Sequence, residues 1–305
     1  MIAIALTIVA ATWAGLAAER HAPGRAGHGS RRALTVVLYA VLPPIVFLNI
    51  AAAELDADFA FGVLIALGVV ASCALLAWFV ADRVLGLRPE QTGAVICCVL
   101  VANTGYLGYP LVAALLGFER ISEAVVYDMG VSAPALFIGA FSVGAAFGTR
   151  AGEGVRERTR AFFARNIPLY AGVLGLVAPA ALAPDWAVDA SRIAVFGLLP
   201  LGFFAVGAAL AEDEGEHRLR LPPPLSRPVA TVLAIKVALM PLLLLALAAP
   251  LIDLPDSFLL LAAMPSGLNA MIVVHAYGLD LKITAGALVW TTALVVPVAL
   301  AASLL

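Results

Sequence analysis

Asn103-Thr-Gly-Tyr-Leu-Gly-Tyr-Pro110 and Met264-Pro-Ser-Gly-Leu-Asn-Ala270 are two polar, Gly/Pro-rich interruptions, each set inside a long apolar run. A membrane-spanning helix must satisfy its backbone N–H and C=O groups within itself. An irregular stretch at bilayer depth therefore survives only where protein or a wet cavity encloses it. When both halves of a chain carry such a stretch, the physical reason is a substrate site built from opposed half-helix ends. The two strings decide the fold class: an all-α membrane protein with two broken, crossing helices.

Composition agrees. The 305 residues are 63% hydrophobic and 12% charged, with a mean hydropathy of +1.04, outside the range of soluble domains. Met1 to Ala18 is apolar, with no preceding basic residue and no small-residue cleavage site, and reads as a retained first span. Cys73, Cys97 and Cys98 lie inside apolar runs, where a thiol acts as a small hydrophobe and indicates neither disulfides nor a metal site. No cofactor and no nucleic-acid partner are expected, and a net charge of −2 says little about partners because in a membrane protein the placement of charge matters more than its sum.

Apolar runs of about 20 residues predict ten spans, at 2–18, 34–53, 58–81, 92–117, 121–148, 166–184, 187–211, 228–252, 257–278 and 283–304. Loops after the odd-numbered spans hold fifteen cations, including Arg20, Arg25, Arg31, Arg32, Arg83, Arg88, Arg227 and Lys282; the opposite side holds Arg120 and Arg192. Short cytoplasmic loops collect Lys and Arg, so both termini are expected on the non-cytoplasmic side of a plasma (inner) membrane. Ten spans divide into five plus five, and an odd number per repeat inverts the second copy. Leu42-Pro43, Phe47 and Ala52 recur as Leu199-Pro200, Phe204 and Ala209, each 157 positions later. Residues 1–148 and 166–305 are the expected repeats, joined by an Arg-rich cytoplasmic connector at 149–165 with some attraction to membrane lipid.

The candidate substrate-binding residues come from the interruptions. Asn103, Thr104 and Tyr106 offer side-chain hydrogen bonds, while Gly105 and Gly108 let a ligand approach the backbone. Pro265, Ser266, Gly267 and Asn269 do the same in mirrored order. If the breaks cross at the midplane, free N–H groups and positive dipole ends converge there, which suits an anion such as a carboxylate. Asp128 and Lys236 are ionisable residues at membrane depth, close enough in depth for a charge pair with a structural or coupling role. Lys236 is one of only two lysines, and an ammonium can release its proton where a guanidinium cannot. His275, Asn49 and Tyr127 read as interfacial or helix–helix contacts, and Glu212-Asp-Glu-Gly-Glu216 as a solvated turn.

Leu42-Pro43, the Asn103–Pro110 string, Lys236 with Pro241, and Met264–Ala270 ahead of Tyr277-Gly-Leu-Asp280 resemble the auxin efflux carrier family, bacterial type, over essentially the whole chain. The resemblance implies an inverted five-plus-five fold shared with bile-acid sodium symporters. Spans one, two, six and seven would form a scaffold and a homodimer contact, and spans three to five and eight to ten a transport domain. It further implies elevator-type alternating access and small organic-anion substrates, auxin-like or other carboxylates. The chain departs from plant members in having Ala102 where they tend to have Pro, and no long central loop. Two alternatives stand beside a potential-driven or proton-coupled carrier. One is a sodium-coupled symporter, disfavoured because neither broken span contains a buried acid. The other is a non-transporting receptor or subunit. No metal or Ser-with-base motif of an enzyme is present.

Overall fold

The computed structural model describes residues 2–53, 57–149, 167–217 and 222–303. Among them the regular structure is helical: α1 (Ile2–His21), α2 (Arg25–Ala51), α3 (Ala57–Phe79, continued by a π turn at Val80–Val84) and α4 (Pro89–Leu100). There follow α5, a π turn at Thr104–Gly108 running into Tyr109–Leu115, then α6 (Phe118–Phe147) and α7 (Ile167–Val177). The chain closes with α8 (Asp185–His217), α9 (Arg227–Ala248), α10 (Asp256–Ala262), α11 (Leu268–Tyr277) and α12 (Leu281–Ala302). Seven of these, α1, α2, α3, α6, α8, α9 and α12, contain stretches long and apolar enough to cross a membrane. The predicted fourth and ninth spans are each divided in two, as the interruptions demanded.

Two boundaries differ from the sequence expectation, for local reasons. The arginines after α1 do not form a long loop. The chain turns over Ala22 to Gly24, and α2 already begins at Arg25. Gly24 supplies the left-handed backbone of that turn, with φ +79°, and buried Glu19 accepts the backbone N–H groups of Gly24 and Gly27, a carboxylate cap at a helix N-terminus. The acidic stretch 212–216 is likewise no turn, because α8 runs through it to His217. The connector predicted at 149–165 lies outside the described residues beyond Thr149.

Inside α2, Pro43 and Pro44 remove the donors that Tyr39 and Ala40 would otherwise meet, and the helix widens into a π turn at Val37–Val41 just before them. Similar π turns occur within α6 and α9, a feature that recurs at functional sites.

Helices α1, α2, α7 and α8 pack on one another. The α1–α8 crossing is the closest kind, backbone on backbone. A Cβ at Gly15 would lie 2.0 Å from the Phe204 carbonyl oxygen, and one at Gly207 1.9 Å from that of Thr12. Lipid offers no hydrophobic drive to such contacts, so van der Waals packing between small residues carries them. On the other side, α4 is wrapped by α3, α6, α9, α11 and α12, and every residue from Thr92 to Leu100 is buried. A helix enclosed all round has no lipid face, which places its open end in the protein interior.

Candidate functional site

The site is the place where α4 and α10 stop. Beyond Leu100 the backbone turns extended at Val101 (φ −91°, ψ 111°). Beyond Ala262, Pro265 and its neighbours stay non-helical until Leu268. The two stretches lie antiparallel with Ala102 opposite Ser266. Asn103 N–H donates to the Pro265 carbonyl at 2.8 Å, and Gly267 N–H to the Val101 carbonyl at 2.9 Å. Gly267 is required for this approach, since a Cβ there would sit 2.6 Å from the Ala102 oxygen.

Two carbonyls freed at the end of α4 are taken up by side chains from elsewhere, and a third side chain holds the facing stretch. Ser266 Oγ donates to Cys98 O at 2.8 Å, and Lys236 Nζ on α9 donates to Val99 O at 3.0 Å. Thr291 Oγ1 on α12 receives Ser266 N–H at 3.1 Å. Lys236 is 1% exposed, and its second neighbour is Met240 Sδ at 3.6 Å. An ammonium at a helix C-terminus meets the negative end of the dipole.

Asp128 lies elsewhere, on the α5 side of the break. Its carboxylate accepts from Thr104 Oγ1 on one oxygen and from the Tyr109 hydroxyl, at 2.8 Å, on the other. The expected Asp128–Lys236 charge pair is therefore not formed. The depth estimate placed the two at similar heights but ignored the crossing between them, and each satisfies a different half-helix end. This also removes the premise against a nearby acid: α6 carries one to the crossing, although neither broken span contains it.

The crossing brings together Asn103, Thr104, Pro265, Ser266 and Gly267 by backbone or side-chain bonds. Gly105 has open space where a side chain would project, and Tyr106 packs its ring on Gly202 of α8, where a Cβ would come within 2.6 Å. Asn269 lies in the first turn of α11, partly exposed. Asn103 is only 6% exposed, yet its side-chain Oδ1 has no hydrogen-bond partner, and neither does Ser132 Oγ, one turn beyond Asp128. Buried polar atoms are nearly always paired, so an orphaned amide oxygen at the mouth of a half-helix marks a place that a ligand can complete.

Tyr109, Thr291 and Ser132 were missed by the sequence reading, although Asp128 and Thr291 share a signal: each is a polar residue on the helix following a break. Arg192 was also missed as a half-buried hydrogen-bonding group. It donates to Asn49 Oδ1 at 3.2 Å and to Ser122 Oγ at 2.9 Å, while Asn49 Nδ2 donates to Ser191 Oγ at 3.0 Å. Asn49 is thus a helix–helix contact joining α2, α6 and α8. Tyr127 packs its ring on Phe258, and His275 is exposed.

A family described as membrane transport protein matches residues 3–141 and 164–302. The chain belongs to this family. The membrane transport protein family is the auxin efflux carrier type that the motifs resemble. A curated relative, an uncharacterized transporter of Methanocaldococcus jannaschii, is 24% identical over 145 residues, 47% of this chain and 46% of its own length. The alignment thus spans about half of that relative. Family and relative are both transporters by description.

Proposed function

We propose that the protein is a secondary transporter for a small organic anion, auxin-like or another carboxylate, bound at the Ala102–Ser266 crossing. The observation that carries this reading is the unpartnered Asn103 Oδ1 at the start of α5, in a crossing whose other groups are closely accounted for. The N-terminal ends of α5 and α11 supply N–H groups and positive dipole ends. Asn103, Thr104, Gly105, Tyr106, Ser266, Gly267 and Asn269 line the site, with Pro265 shaping it. The Asn103 side-chain amide provides a donor for a carboxylate oxygen, and the unpartnered Oδ1 accepts from a protonated carboxyl, a ring N–H or a water carried by the ligand.

The chain crosses the membrane ten times in two inverted repeats, with non-cytoplasmic termini in the inner membrane. Antiparallel pairing at Ala102 and Ser266 supports a two-fold relation between the halves. Asp128 and Thr291, which each hold the neighbouring break, stand 163 positions apart, and Ala102 and Ser266 stand 164 apart. The helices α1, α2, α7 and α8 form the scaffold and a homodimer contact, and α3–α6 with α9–α12 move against it as an elevator. Tyr106 on Gly202, and Ser122 under Arg192, are the contacts that such a movement exchanges.

The test is flux into proteoliposomes from a panel of labelled carboxylates, with wild type and Asn103→Ala compared at equal folded protein. Saturable uptake lost in the variant is the expected result. Absence of flux for every carboxylate under imposed potential, pH and sodium gradients would overturn the reading in favour of a non-transporting membrane subunit.

A further inference from the structure

Asp128 is a carboxylate inside the apolar region of α6, and among the described residues no Lys, Arg or His lies in salt-bridge reach of it. Its two oxygens accept one hydroxyl each, from Thr104 and Tyr109, which orients the group but leaves its charge uncompensated. Lys236, a buried cation on α9, is engaged with Val99 O at the end of α4. Uncompensated charge at this depth is costly and marks function.

The position adds a second constraint. Thr104 lies in the first turn of α5, whose N-terminal end is the proposed anion subsite, so the carboxylate and a bound anion would share one positive helix end. Like charges that close in a low-dielectric setting weaken binding by about tenfold or more. An arrangement that holds an anion there must neutralise Asp128 in the same step.

We propose, resting on the anion-site reading above, that Asp128 binds the coupling cation, a small monovalent ion that is either H⁺ or Na⁺, and that its occupancy is what admits the anion. Lone pairs are available for it. Ser132 Oγ, four residues along the same face of α6, makes no hydrogen bond of standard geometry but lies within reach of the carboxylate, and Asn103 Oδ1, adjoining Thr104 in the chain, has no hydrogen-bond partner. Carboxylate, hydroxyl and amide oxygens are the donors a hard cation prefers, and a proton on Asp128 would in turn need an acceptor such as Ser132. The elements packed on this part of α6 are α3, the start of α5 and, at Met129, α7. Of the titratable side chains nearby, Tyr109 bonds the carboxylate directly, Cys73 and Tyr127 are a thiol and a phenol, Tyr106 packs on Gly202, and Glu123 on α6 is held by Arg120 and Ser257, so none of them competes for the role. Because linkage is reciprocal, the cation raises anion affinity and the anion raises cation affinity.

The experiment follows the purified full-length protein in nanodiscs by thermal unfolding. NaCl is compared with KCl at constant ionic strength, over mildly acidic to mildly alkaline pH, for wild type, Asp128→Asn and Ser132→Ala, without any carboxylate. If the ion is sodium, NaCl raises the wild-type Tm by about 3 °C at tenfold saturation, Asp128→Asn abolishes the shift and Ser132→Ala reduces it. If the ion is the proton, NaCl and KCl act alike, and the pH dependence of Tm differs between wild type and Asp128→Asn. Folded Asp128→Asn with the same sodium and pH response as wild type overturns the proposal. Should Asp128→Asn not fold, Ser132→Ala with unchanged sodium and pH responses overturns it instead. Failure of the anion reading is separate, since it shows as absent carboxylate flux while this ion response persists.

Discussion

Lys236 Nζ lies 3.0 Å from the carbonyl oxygen of Val99, at the C-terminal end of α4. The chain's single deeply buried ammonium among the described residues is therefore a helix cap, and its charge faces the negative end of that helix. Replacing it with methionine keeps the volume and removes both the donor and the charge. Lys236→Met is expected to lower stability by about 1–3 kcal/mol, the cost of leaving a buried acceptor unmet, read as a fall in Tm in nanodiscs. Lys236→Arg places a planar fork where a point charge fits and is expected to rescue little of the loss.

Two glycines of the broken spans separate structure from binding. Gly267→Ala drives a Cβ to 2.6 Å from the Ala102 oxygen, parting the backbone crossing. A loss of more than about 2 kcal/mol is expected, as for other forced backbone shifts at a packed site. Gly105→Ala meets nothing within 4 Å and is expected to leave stability within about 1 kcal/mol of wild type while impairing anion uptake by filling the space beside Asn103. Equal effects of the two changes on Tm would contradict this division.

Asn103→Ala removes an acceptor that is buried without a partner. Deleting an unsatisfied polar group costs little and can stabilise, so Tm is expected to hold or rise while carboxylate binding falls by about tenfold or more. A parallel loss of Tm and binding would show that the amide is structural.

Arg192 bridges Asn49 on α2 and Ser122 on α6, its side chain 16% exposed and its carboxylate neighbour Asp189 at 3.7 Å. A double-mutant cycle between Arg192→Ala and Ser122→Ala is expected to return a coupling of about 0.5–3 kcal/mol, the range for contacting pairs. Arg192→Lys is expected not to restore it, because one ammonium cannot reproduce two separately directed guanidinium bonds.

Much of this architecture was written in residue types. Apolar run length is a local property, so the helices and the two breaks at Asn103–Pro110 and Met264–Ala270 were legible from the chain alone. Pro265 announced a break because it lacks a backbone N–H and fixes its own φ, and Gly267 because its conformational freedom disfavours a continued helix. The extra turns of α2 and α8 were not legible, since Arg- and Glu-rich stretches read as solvent-facing loops until a cap such as Glu19 is seen.

What the sequence determined by itself is therefore the class of molecule and the places where its helices fail. Only the tertiary structure decided which groups answer those failures: Lys236 for Val99, Thr291 for Ser266, Thr104 and Tyr109 for Asp128. Such partners are separated by up to 137 positions, and a hydrogen bond is chosen by distance and angle in space. Depth along a helix, which the sequence does supply, says nothing about which side of the crossing a side chain reaches.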